Sequence, residues 1–269
     1  MPGETLNGVP APPEDIAAHY AMTLPGMTLV VQAAADGDAR VETRMDGVPS
    51  LEARVHPVPG ERLIRRGGID HIVHKDAQGS YSARRDDLIA MLAGMMRAAA
   101  PPQRPPPVGA PGLELVRAGE ESVGGVPGIL WRVQPAAAPA PIVAAEAVVS
   151  GDPALAVLGS AFAAWIDTFN AALRQVRGED ALENMSLEMM RLGAVLRLGK
   201  SIRLERLERT PIPADAFALA EPLLDRETLR VRYTAENDRL DALRRSGELP
   251  PEDPRFGGRR PALRPRTGA

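Results

Sequence analysis

The chain has no cysteine, and that absence removes disulfides, zinc–thiolate sites and thiol catalysis together. Aromatic residues are scarce at 3%, so the core must be filled by Val, Leu, Ile, Met and Ala. An excess of positive charge is missing as well: a net charge of −3 argues against a specific nucleic-acid surface. Long apolar runs are lacking. The longest uncharged one lies between Asp152 and Asp167, short of the roughly 20 residues a bilayer span needs. Pro2 to Pro13 carries neither a basic start nor an apolar stretch, so no signal peptide is legible in the chain as given.

What remains is an ordinary globular balance, 44% hydrophobic over 269 residues, punctuated by 27 prolines and 25 glycines. Residues 1–17 read as a flexible segment and 18–235 as one domain. Within it, Met27, Leu29, Val31 and Ala33 alternate with Thr28, Val30 and Gln32. After Asp36-Gly37-Asp38, Val41, Thr43 and Met45 alternate with Arg40, Glu42 and Arg44, which predicts a hairpin with one face inward. Further strands are expected at Leu51–Val55, Arg62–Arg66, Ile69–Lys75, Tyr81–Arg84, Leu113–Ala118, Val126–Gln134 and Ile142–Ser150. A helix capped by Asp86 or Asp87 should carry Leu88, Ile89, Leu92, Met95 and Met96 inward, stopping before Pro101.

The clearest start signal is Asp152-Pro153, an N-cap acceptor followed by a residue with no N–H to lose. Leu155, Leu158, Phe162, Trp165, Phe169, Leu173 and Val176 then recur at steps of three and four as far as Gly178. Leu182 to Leu198 fits helix or strand and is read as two strands. Ser201–Glu208 reads as a strand whose apolar face shifts between Leu204 and Leu207, as a bulge requires. Phe217 is expected to anchor the following turn. Residues 236–269 are read as a disordered basic tail, with five arginines and no acid over 255–269.

Chemistry is sparse. Gly199-Lys200-Ser201 imitates the end of a phosphate-binding loop, but Ala194 stands where that loop needs glycine, and a strand follows where a helix must begin. His71 and His74, three apart on a strand, point to opposite faces and cannot share a metal. No nucleophile elbow is present, and Asp86-Asp87 and Glu120-Glu121 fall at helix starts and turns. The groups Met91, Met95, Met96 and Met185, Met189, Met190 suit gap-filling in an aromatic-poor core better than a soft-metal site. No catalytic residue, metal ligand or cofactor is assigned, and the expectation is not an enzyme.

The order of elements resembles the LolA/LolB-like superfamily of lipoprotein carriers, in particular its uncharacterised envelope relatives. The likeness is carried by MTLVVQAAADGDARVETRMDG, SYSARRDDLIAML, GLELVRAGEESVGGVPGILWRV, VVSGDPALAVLGSAFAAW and IRLERLERTPIPADAFAL, spread over residues 18–220. It implies an α+β fold, a curved antiparallel β-sheet (half-barrel) covered by one or two helices, enclosing an apolar cavity. It also implies a periplasmic setting, with a lipid tail as ligand and peripheral contact with a membrane or lipoprotein. The expected cavity lining is Leu29, Val31, Val41, Trp131, Val133, Phe162, Phe169, Ile202 and Leu204. The alternative is a surface interaction module with a filled core, acting through its face or its arginine-rich tail.

Overall fold

Apolar alternation with a period of two builds ladders, and here the ladders join into one open sheet. A computed structural model describes residues 14–23, 27–45, 62–99, 112–136 and 143–248. The first half comprises β1 (Ile16–Met22), β2 (Met27–Ala33), β3 (Ala39–Met45), β4 (Arg62–Arg66), β5 (Ile69–Asp76) and β6 (Gly79–Arg84), followed by α1 (Arg85–Ala99). The second half runs β7 (Leu113–Val123), β8 (Val126–Pro135), β9 (Ala145–Ser150), α2 (Ala156–Arg177), α3 (Ala181–Arg191), β10 (Ala194–Leu198) and β11 (Ile202–Arg209). It closes with β12 (Leu223–Leu224) and α4 (Arg226–Ser246).

The strand order is β12-β6-β5-β4-β3-β2-β1-β11-β10-β9-β8-β7, antiparallel throughout except for the short β12–β6 pair. The chain therefore has the α+β architecture of a curved antiparallel sheet covered by helices. Register explains the core. The paired residues Leu207, Ala18, Val31, Val41, Leu63, Ile72 and Ala83 form one row across seven strands, on the face that packs against Leu88 and Leu92 of α1 and Leu158 and Phe162 of α2. Facing residues of an antiparallel ladder project to the same side, so one apolar stripe serves these seven strands. On the opposite face Phe217 packs with Ile64 and Val73, the anchoring expected of it.

Several details agree with the sequence reading. Asp152 accepts a hydrogen bond from Ala154 N–H at 2.9 Å, and a short 3-10 turn at Pro153–Leu155 opens α2. Gly178 ends it with φ of 85°. The β1–β11 ladder skips Glu205, the bulge expected between Leu204 and Leu207. Gly199 to Ser201 is the β10–β11 turn, and His71 and His74 pair on opposite faces, with Ile64 and Tyr81 respectively.

Four readings are corrected, the first being the flexible segment ending at 17, since Ile16 and Ala17 are buried in β1. Leu182–Leu198 is a helix followed by one strand, since Asp180 caps α3 by accepting from Glu183 N–H at 3.0 Å. The boundary placed at 236 falls inside α4, which Asp225 caps through Thr228 N–H and Gly247 ends in the left-handed region at φ 79°. Helix α1 begins at Arg85, so Asp86 and Asp87 sit within its first turn, where their charge favours the helix N-terminus. The strand expected at Leu51–Val55 and the end of the expected 236–269 tail beyond Glu248 lie outside the described residues.

Candidate functional site

The expected lining residues occupy two places. Leu29, Val31, Val41 and Phe162 are fully buried, and with Ile202 and Leu204 they belong to the main core beneath α2. Trp131 and Val133 lie in a second cluster with Ala147 and Val149, closed by Met185 and Met189 of α3. The side chain of Phe169 lies outside what the structure describes. Six of the nine therefore belong to the main core and two to the second cluster. The methionine groups divide likewise: Met91 and Met190 are buried in the main core, and Met189 is buried in the second cluster.

Space opens at the far end of α2 instead. The segments Pro153–Thr168 and Asn170–Arg177 meet at an angle of 48°. No proline or glycine stands at the bend, and side chains reach the helical ladder beside it. Arg85 Nε donates to the Ala164 carbonyl at 3.1 Å and to Thr168 Oγ1 at 3.0 Å, while the Thr168 hydroxyl donates to the same carbonyl at 2.8 Å. Arg85 also binds Asp167 at 3.0 Å, and Asp167 takes a second guanidinium, Arg174, at 2.5 Å. Thr168 and Asp167 are buried, so this cluster is a fixed internal support.

Beneath the bend lies a cleft of about 290 Å³ between α2, α3 and the end of β10. Ile166 of α2, Leu182, Leu187 and Met190 of α3, and Leu198 of β10 make its apolar wall. Its polar members are Asp167, Asn170, Glu183 and Ser186. The two carboxylates are held from behind: Asp167 by Arg85 and Arg174, Glu183 by Arg177 through one oxygen. The other oxygen of Glu183, Oε2, is buried with no hydrogen-bond partner. None of the eight expected residues whose side chains are described lines this cleft. The signal that could have found it is the capping pattern Asp180-x-x-Glu183, which marks a helix start where strands were read.

A second polar cluster lies under α4. Arg232 binds both oxygens of Asp76, at 2.6 and 2.7 Å, and its guanidinium carbon lies 4.2 Å from the centre of the Tyr81 ring. His74 stacks on Tyr81, 5.7 Å centre to centre. Burial pushes the imidazole down to about 4, against a smaller upward pull from Asp76. Burial also raises the Tyr81 hydroxyl, so both groups are neutral at pH 7. The cluster reads as a clamp for α4 on the β5–β6 hairpin. Among the described residues, no three His, Asp or Glu side chains gather as metal ligands, and no single helix is long and apolar enough to cross a membrane.

No protein-family model, curated protein or solved structure matches this chain significantly.

Proposed function

We propose that this is a non-enzymatic protein that binds an apolar group, a lipid tail or similar chain, in the cleft between α2 and α3. The observation that carries the reading is the cleft itself, with five apolar side chains on its wall and a volume of about 290 Å³. That lies at the lower edge of the about 300–1,000 Å³ of small-molecule sites, so it suits one short chain or the end of a longer one. Area burial at about 25 cal/mol per Å² supplies the drive. The setting we attach to it, the periplasm with peripheral contact to a membrane or lipoprotein, is drawn from the resemblance to LolA/LolB-like carriers. Thermal unfolding of the full chain with a panel of alkyl compounds of varied head group tests the reading. A rise in melting temperature with at least one of them is expected; no shift across the panel would count against it.

A second reading is favoured by the packing under the middle of α2, where Leu29, Val31, Val41 and Phe162 are fully buried. A filled core suits a surface interaction module, working through its face or its arginine-rich C-terminal segment. Because α4 extends through Ser246, the discriminating truncation ends after Glu248, which leaves the helix and its Gly247 cap intact. Loss of a partner in that variant, with alkyl binding absent from the full chain, would favour the module.

A further inference from the structure

We infer that the end of the β7–β8 hairpin, residues 119–128, is a hinged lid over the apolar interior, held shut by Glu121 on Arg197. It concerns the main core and stands apart from the α2–α3 cleft. The β8–β9 ladder stops at Ile129 and Val149, whereas the β7–β8 ladder runs on to Val123 and Val126. Residues 120–128 therefore pair only with each other, and no ladder joins β7 to β11 among the described residues. The base of this overhang carries a hinge. Ala118 is the extra residue of a bulge between Arg117 and Gly119, and Gly119 has φ of 152°, which glycine adopts without strain. Beyond the bulge the hairpin end lies on β10 and β11. A methyl added at Gly124 would stand 3.2 Å from the Leu204 carbonyl oxygen, and one at Gly128 would stand 2.9 Å from Leu196 Cδ1. Val123 is fully buried in the main core, to which Leu196 and Leu204 also belong, and Val126 packs against it half-buried.

The latch is ionic. Arg197 of β10 donates to both oxygens of Glu121, at 3.1 and 2.8 Å. The same guanidinium donates to Glu146 at 2.7 Å and to the Gly199 carbonyl at 2.9 Å. Arg197 therefore keeps partners when the lid lifts, and Glu121, with its side chain already 31% exposed, passes into water. Neither charge is left buried and alone, so opening avoids the penalty of breaking a fully internal pair. Few buried apolar contacts and no further ladder hold the tip, the conditions under which a segment opens without global unfolding. Lifting it uncovers Leu196 and Leu204, an apolar floor.

The test is hydrogen–deuterium exchange of the full chain at neutral pH. Amides of residues 120–128 should exchange ahead of those of β2 and β3; exchange at the same rate as those strands would overturn the lid. Glu121→Ala removes the latch and should speed the tip amides about threefold to tenfold, the range for a bidentate pair partly open to water, with β2 and β3 unchanged. Glu120→Ala, which removes a neighbouring acid bonded to the exposed Arg117, should leave the tip rate as it was. Binding of an apolar dye such as anilinonaphthalene sulfonate should rise in Glu121→Ala and not in Glu120→Ala. Equal effects of the two substitutions, or a Glu121→Ala chain in which every strand exchanges faster alike, would make the pair a plain structural tie and overturn the proposal.

Discussion

Gly159 of α2 lies against the backbone of Gly193, so closely that a methyl added at Gly159 would stand 2.2 Å from the Gly193 carbonyl oxygen. Gly193 in turn abuts Ser150, where an added methyl would meet the carbonyl oxygen at 2.0 Å. These contacts seat α2 on the start of β10 and β10 on the end of β9. In an open helix interior, Gly→Ala is favourable by about 1 kcal/mol. Here the obstacle is backbone, which cannot rotate aside, and overpacking costs about 1–3 kcal/mol or more. Gly159→Ala is therefore expected to lower the urea midpoint. Gly94→Ala in α1, where nothing lies within 4 Å, should raise it. Equal effects at the two positions would contradict the packing argument.

Removing Arg85 should cost far more than an exposed arginine. Its side chain is 14% exposed and that of Asp167 11%, so Arg85→Met leaves a buried carboxylate with one partner where it had two. Loss of a partner from a buried pair costs about 3–5 kcal/mol. Adding Asp167→Asn should recover part of that loss, a coupling measurable by a double-mutant cycle on chemical unfolding. Additive effects would show that the two side chains act separately.

The His74 imidazole makes stability depend on pH. Unfolded, it takes a proton near its ordinary 6.5; folded, burial delays this until about 4, so the unfolded state holds more protons between these values. Its contribution is complete above about pH 6.5 and is lost as pH falls to about 4, a loss of about 3 kcal/mol. Asp76 adds a second decline at lower pH. Burial pushes its carboxyl up, yet the bonds from Arg232 and from the Gln78 and Gly79 backbone outweigh this and hold it below 3.8. His74→Leu should flatten the fall in urea midpoint between about pH 7 and about pH 4.5. An unchanged slope would exclude this imidazole as its source.

Filling the cleft should abolish ligand binding without unfolding the chain. Ser186 lies on the cleft wall and is half-buried, so Ser186→Phe places a ring in the space a ligand would take. The unaltered chain at a ligand concentration of 100 Kd gains about 2.7 kcal/mol, a rise of several degrees in melting temperature. The variant should show no such rise. A ligand shift that survives the substitution would move the binding site elsewhere.

The β2–β3 hairpin, the long helix and the bulge in β11 were legible because each rests on a local signal. Val41 alternates with the charged Arg40 and Glu42, Asp152-Pro153 opens a helix, and the step from Leu204 to Leu207 breaks a period of two. Helix α3 was missed because Met185, Leu187, Met189 and Met190 face two different clusters, so no single apolar stripe marks it. Helix α4 was cut short because its residues are mostly charged; Leu229 and Leu240 alone are buried, and its hold on the sheet is the Arg232–Asp76 pair, invisible to periodicity. The described wall of the cleft was missed. Its wall joins Ile166, Leu182 and Leu198, which no spacing rule connects.

By itself, the sequence determined which residues turn inward, where α2 starts and stops, and that the core is aliphatic, since these follow from side-chain period and capping within one segment. Only the tertiary structure decided how α2 is seated on the sheet. That outcome depends on the hydrogen bond from Arg85 to the Ala164 carbonyl and on how closely Gly159 lets the helix approach β10, both contacts between residues far apart in the chain.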